Sequence, residues 1–145
     1  MSEPARGPVP FKYKKLTGDH KKQVAILGRT DHLVGMIQIV KEGGENNLHM
    51  HPHTDGIWMV LTGRAHFYGE DGMDLGEFGP HEGIVLPRGT KYRFEKTGDE
   101  DLEILAMQAF DVPLATVKEI QDDRINFGAM TTAPADMPNV EMTPT

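Results

Sequence analysis

The stretch Gly43-Gly44-Glu45-Asn46-Asn47-Leu48-His49-Met50-His51-Pro52-His53-Thr54-Asp55-Gly56-Ile57-Trp58-Met59-Val60-Leu61-Thr62-Gly63 decides how this chain is read. A Gly-rich turn opens it, a cluster of histidines follows, and an apolar run ending in glycine closes it. The chain has seven histidines, and His49, His51 and His53 fall within five residues. Side chains two apart in a strand share a face. His49 and His51 can therefore converge on one ion, with His53 as a third ligand if the strand continues. Pro52 argues against that continuation, because it removes a donor from the ladder. Asp55 follows closely and offers a hard oxygen. Imidazole with carboxylate suits a divalent transition metal, with Fe, Mn, Ni, Cu and Zn all open. The rival reading is a solvated His-rich turn. The Gly-rich turn before the pair and the apolar strand after it favour the metal.

Outward from this stretch, 16 glycines and 10 prolines are dispersed along the chain and cut it into short segments. That punctuation is the all-β pattern. Strands are expected at Gln23–Gly28, Leu33–Val40, Leu48–His51, Ile57–Leu61, Arg64–Tyr68, Gly83–Leu86, Lys91–Glu95 and Leu102–Phe110. Turn residues separate them, among them Thr62-Gly63, Gly79-Pro80, Pro87-Arg88-Gly89 and Thr97-Gly98-Asp99. No segment before Phe110 carries a helical period, and no repeat suggests a second barrel. Residues 1–22 are Pro-rich and then Lys-rich, and read as an N-terminal arm. Residues 23–110 read as the barrel. Residues 111–145 read as a C-terminal extension, with room for one short helix over Ala115–Phe127 and a Pro/Thr-rich tail from Gly128.

The bulk properties narrow the function. A chain of 145 residues is the size of one domain. With no cysteine, there is no disulfide framework, thiolate metal site or cysteine nucleophile. A net charge of −7 lacks the basic footprint that nucleic acid or an anionic membrane requires. Met1-Ser2-Glu3-Pro4 is followed by no apolar stretch, and no run approaches the length of a membrane span. These features fit a cytoplasmic protein that binds a small molecule.

The motifs resemble those of the cupin superfamily. Gly43, His49, His51 and Gly63 match its first motif, and Pro87-Arg88-Gly89 matches its second, so the resemblance runs from about Leu33 to Phe110. It implies a double-stranded β-helix, the jelly-roll barrel, with up to four metal ligands inside. This chain departs from the pattern in two places. Gly56 holds the usual Glu position, with Asp55 beside it. Tyr92 holds the usual second-motif His position, and Lys96 the usual Asn. Of the implied ligands His49 and His51 match, and Asp55 substitutes if the loop shifts by one residue. Tyr92 could ligate only as a phenolate, well below its usual pKa of about 10. As a neutral phenol it could donate a hydrogen bond or serve as a catalytic proton donor or acceptor.

Alternation completes the expected pocket. Gly56, Trp58 and Val60 share the inward face, Tyr92 and Phe94 share another, and Met36 and Gln38 share a third. Trp58, Phe94, Gln38 and Met36 are thus the expected substrate pocket, apolar with a few polar groups, as small-molecule sites usually are. Trp58 and Phe94 could equally fill a small barrel as packing. Three functions remain open: a metal-dependent enzyme, a metal-poor binding module, and a cofactor-free acid–base enzyme pairing a His with Tyr92. Leu33–Val40 is apolar on both faces, so one face needs a second surface. A homodimer supplies it, with the arm Pro8-Val9-Pro10-Phe11 lying across the join. The rival cover is the tail of the same chain.

Overall fold

Period-two alternation becomes two packed sheets. The computed structural model describes residues 4–42, 47–113, 125–126 and 139–142. The turn at 43–46 and most of the expected helix Ala115–Phe127 and of the tail lie outside the described residues. The larger sheet has the order β11-β1-β2-β9-β4-β7. Its strands are β1 (Lys22–Arg29), β2 (Leu33–Val40), β4 (Thr54–Thr62), β7 (Gly83–Leu86), β9 (Leu102–Phe110) and β11 (Asn139–Glu141). The second sheet is β6-β5-β8, from β5 (Arg64–Tyr68), β6 (Asp74–Phe78) and β8 (Arg93–Thr97). A short pair joins β3 (His49–Met50) to β10 (Ile125–Asn126). Ile125–Asn126 is therefore extended, so the helix expected over Ala115–Phe127 does not reach these residues. Asn139–Glu141 likewise lies parallel to β1, where a draped tail was expected.

One core fills the space between the sheets. From the large sheet come Val24, Ile26, Val34, Met36, Trp58, Val60, Ile104 and Phe110; from the small one, Ala65, Phe67 and Phe94. The inner face of β9 reads Leu102, Ile104, Ala106, Gln108, Phe110, and every one of these is buried. Gln108 is its one polar member. The outer face of β1 and β2 builds a second cluster from Ala25, Leu27 and Ile37, onto which Tyr13 and Leu16 of the arm and Met142 pack. Both ends of this one chain thus cover part of that face. The Tyr13 hydroxyl also donates to the carboxylate of Glu103, a buried acid on the same face. Farther along, Val9, Phe11 and Leu33 remain exposed around a groove that Leu27 and Met107 also line.

Candidate functional site

His49 enters the site through its backbone. Its N–H donates to the Tyr92 carbonyl at 2.9 Å, and the Tyr92 N–H returns the bond at 2.9 Å. Residues paired this way lie directly opposite each other and carry their side chains on one face. The two rings accordingly sit 4.3 Å apart by their centroids. His51 follows two residues on, with its ring 5.1 Å from that of His49 and perpendicular to it. Its carbonyl accepts the Gly89 N–H at 3.0 Å, which fastens β3 to the Pro87-Arg88-Gly89 turn. Gly89 takes φ +81 there, a conformation that glycine adopts without strain. Both imidazoles are buried.

A local bond orients His49. Its Nδ1 lies 2.7 Å from the Asn47 carbonyl oxygen. A carbonyl can only accept, so Nδ1 carries the hydrogen, and the neutral ring keeps its lone pair on Nε2. Metal-binding histidines are usually held by such a contact.

Aromatic rings form the floor. Trp58 lies 5.5 Å from Phe94, 6.1 Å from Tyr92 and 6.2 Å from Phe67 by ring centroids. Phe67 and Phe94 stack at 5.1 Å, and both are fully buried. Above this floor a small pocket opens between the sheets. Trp58, Leu86 and Pro87 supply its apolar wall, and His51, Thr54, Thr90, Tyr92 and Gln108 its polar one. The space open to the centre of a water molecule is ≈ 10 Å³, about what a single water needs.

The expected site residues divide. His49, His51, Tyr92 and Trp58 come together. His53 and Asp55 turn outward instead of joining them. Pro52 ends β3, and His53 falls in the turn, where its Nδ1 sits 2.9 Å from Asp111 Oδ1. Asp55 lies on the outer face of β4, exposed, and its Oδ1 accepts the Arg88 N–H at 2.8 Å. Arg88 also reaches Asp111 Oδ2, at 3.0 Å. These polar groups thus make a rim, with their bonds directed to one another. Among the described residues, no three His, Asp or Glu side chains gather as a metal site.

Met36, Gln38 and Phe94 face the interior but do not line the pocket. Register explains this for β2. Met36 pairs with Ala106 and Gln38 with Ile104, whereas the β2 residue level with the pocket is Val34, opposite Gln108. Phe94 lies behind Trp58. Sequence reasoning passed over Gln108, Thr54 and Thr90. For Gln108 a signal exists: it is the single polar residue in the inward alternation of β9.

Comparison with known proteins follows the same outline. Residues 36–108, about half the chain, match the family model described as Cupin domain. No curated protein matches the chain. Among solved structures, KdgF from Halomonas sp. is similar at 18% identity and a TM-score of 0.61, over 71% of this chain and 94% of that one. An uncharacterised conserved protein with a double-stranded β-helix domain from Klebsiella pneumoniae matches at 18% identity and a TM-score of 0.53, over 74% of this chain and 81% of that one. The DMSP lyase DddQ from Ruegeria pomeroyi matches at 21% identity and a TM-score of 0.54, over 71% of this chain and 57% of that one. At such identities the likeness is one of fold.

Proposed function

The chain belongs to the cupin family, and we propose that it binds a divalent transition metal through His49 and His51 and acts on a small organic molecule that presents one group to the pocket lined by Trp58 and Tyr92. The observation that carries this reading is the 2.7 Å contact between His49 Nδ1 and the Asn47 carbonyl. It fixes the tautomer a ligating imidazole needs, beside a second buried imidazole. The donor set fits a metal of the Fe, Mn, Ni, Cu or Zn group through two ring nitrogens and nearby neutral oxygens. Bound there, a divalent ion would polarise an oxygen of the ligand. The chain's own residues would do the rest. Trp58 and Leu86 would exclude water from one side of the ligand. The Tyr92 Oη would give or take a proton on the other side. That DddQ is a DMSP lyase on a similar barrel supports small-molecule chemistry in such a pocket.

A second reading is a binding module without metal or turnover. The outward bonds of His53 to Asp111 and of Asp55 to Arg88 favour it, since they direct these two candidate ligands away from the pocket. Metal analysis of protein purified without a His tag separates the two. About one equivalent of metal, lost in the His49→Ala/His51→Ala double variant, supports the first reading. Protein that takes up no added Co(II), Ni(II) or Zn(II) supports the second.

We also propose that two copies associate over the outer sheet face. The exposed apolar side chains of Val9, Phe11 and Leu33 line one groove there. Light scattering at micromolar concentration should return twice the chain mass of 16.1 kDa, and the single mass rejects the dimer.

A further inference from the structure

We propose that the Gln108 side-chain amide supplies, from the neighbouring strand, the oxygen donor that position 56 lacks, so that His49, His51 and Gln108 hold the metal together. This rests on the metal reading above and goes further by naming the third ligand.

Register places Gln108 where it is needed. It pairs directly with Gly56 across β4 and β9. Cross-strand neighbours carry side chains to the same face with Cβ positions about 5 Å apart. A side chain from Gln108 therefore enters the space that one from position 56 would have used. Gln108 also lines the same pocket as His51 and Tyr92.

Burial makes the amide conspicuous. Gln108 is only 5% exposed. Its Oε1 is buried and has no hydrogen-bond partner among the described residues. Buried polar atoms in native proteins nearly always have one. Every other inward residue of β9 is apolar, so a leucine would suit packing better. Rotation about the last side-chain bond exchanges the carbonyl and amino ends, so the oxygen can turn toward a ligand without moving the strand.

Gly56 shows why the donor comes from the next strand. A Cβ at position 56 would lie 3.3 Å from the Trp58 Nε1 and 3.8 Å from its Cδ1. A side chain at position 56 would thus start against the indole, and the ring would have to give by a few tenths of an ångström to admit it. His53 and Asp55 are tied to Asp111 and Arg88 outside the pocket. Two inward amide oxygens, those of Gln38 and Gln108, are buried without a partner among the described residues, and of the two it is Gln108 that lines the pocket. Being neutral, it adds no charge to offset that of the ion. The site is therefore expected to bind metal more weakly than one with a carboxylate, and to polarise a ligand more strongly.

The test uses untagged full-length protein stripped with EDTA and titrated with Co(II), read by calorimetry and by the visible Co(II) spectrum. Gln108→Leu should weaken Co(II) binding by about 10- to 100-fold and shift the visible bands. Gln108→Glu should tighten binding, because a carboxylate then stands in the same place. The metal-free Gln108→Leu variant should melt at or above the wild-type temperature, since it loses a buried unpartnered oxygen. A lower Tm means that the amide has a structural partner, and overturns the proposal. Wild-type Co(II) affinity in Gln108→Leu, with binding abolished in His49→Ala/His51→Ala, overturns the role of Gln108 and leaves the histidine site standing. Wild-type protein that binds no Co(II) overturns the metal reading itself, and this inference with it.

Discussion

Gly83 is where the backbone of the barrel is least forgiving, and Gly83→Ala should destabilise the protein severely. A Cβ at this position would lie 1.7 Å from the Trp58 carbonyl oxygen, 2.7 Å from its carbon and 2.9 Å from the Met59 Cα. All three are main-chain atoms, so no rotamer change relieves the clash. The strands must separate by more than about 1 Å before the methyl fits, which is overpacking at a cost of about 1–3 kcal/mol. Separation also breaks into the ladder where Trp58 pairs with Ile84 and Met59 with Gly83. Losing one such hydrogen bond adds about 1 kcal/mol. The sum, about 2–4 kcal/mol, corresponds to a Tm lower by about 7–13 °C for a chain of this size. Urea unfolding followed by Trp58 fluorescence measures it, because Trp58 is the sole tryptophan. Gly28→Ala is the control, since nothing lies within 4 Å of its Cβ position. It should be neutral or stabilising by about 0.4–1 kcal/mol. If Gly83→Ala unfolds within about 0.5 kcal/mol of the wild type, as ordinary surface substitutions do, the close approach of β4 and β7 is wrong.

Two further outcomes are expected away from the pocket. Tyr13→Phe removes the hydroxyl that donates to Glu103, a buried carboxylate that also accepts from Thr62 at 3.2 Å, and should cost about 1.5–3 kcal/mol in chemical denaturation. Burial, then the hydrogen bond to Glu103 and its charge, raise the Tyr13 pKa above its ordinary 10.0. A raised folded-state pKa gives stability that is full below pH 10.0 and fades as pH rises toward the folded value, so the gap between wild type and Tyr13→Phe should narrow above pH 10.0. A gap constant to the alkaline limit contradicts that contact. Asp74 behaves in the opposite sense. The His66 hydrogen bond first, then the Gly76 N–H, lower its pKa below 3.8, so its contribution is present above that pH and lost as pH falls through the folded value. The Gly76 amide, 2.8 Å from Asp74 Oδ1, should titrate by NMR with a midpoint below 3.8, and a midpoint above it rejects the contact.

How far the sequence reaches can be judged residue by residue. Leu33–Val40, Arg64–Tyr68, Gly83–Leu86 and Leu102–Phe110 are strands with the expected bounds, because apolar alternation between turn residues is a local signal. Asp74–Phe78 escapes that signal. Its Asp74, Gly76 and Glu77 carry little β-propensity, and Gly76 sits at φ +120. It is a strand because β5 offers it an edge, through a register that shifts at Phe67/Tyr68. The two-residue β10 and the parallel β11 likewise depend on distant partners, which no window of sequence contains. In the site, the His49 and His51 pair is legible because two-residue spacing suffices to place it. Pro52 and its effect on His53 are legible for the same reason.

The rest of the site depends on register between strands far apart in the chain. Nothing near residue 56 says what would replace a ligand there, and nothing near residue 108 marks it for the proposed metal site. Only the pairing of Gly56 with Gln108 joins them. Once it does, three residues that look unrelated share one cause. Trp58 turns its indole into the space beside Gly56, so a side chain at position 56 would press on the ring. That ring packs against Phe67, Phe94 and Tyr92, so displacing it would disturb the core of both sheets. A donor on β9 avoids that conflict, because Gln108 reaches the pocket from the strand beside the indole. The same logic predicts the double variant Gly56→Glu/Trp58→Val. Removing the indole makes room for the glutamate, and Co(II) binding should then tighten and no longer depend on Gln108. If Gln108→Leu still weakens binding in that background, the two positions are not exchanging one ligand, and the link between Trp58 and the choice of donor fails.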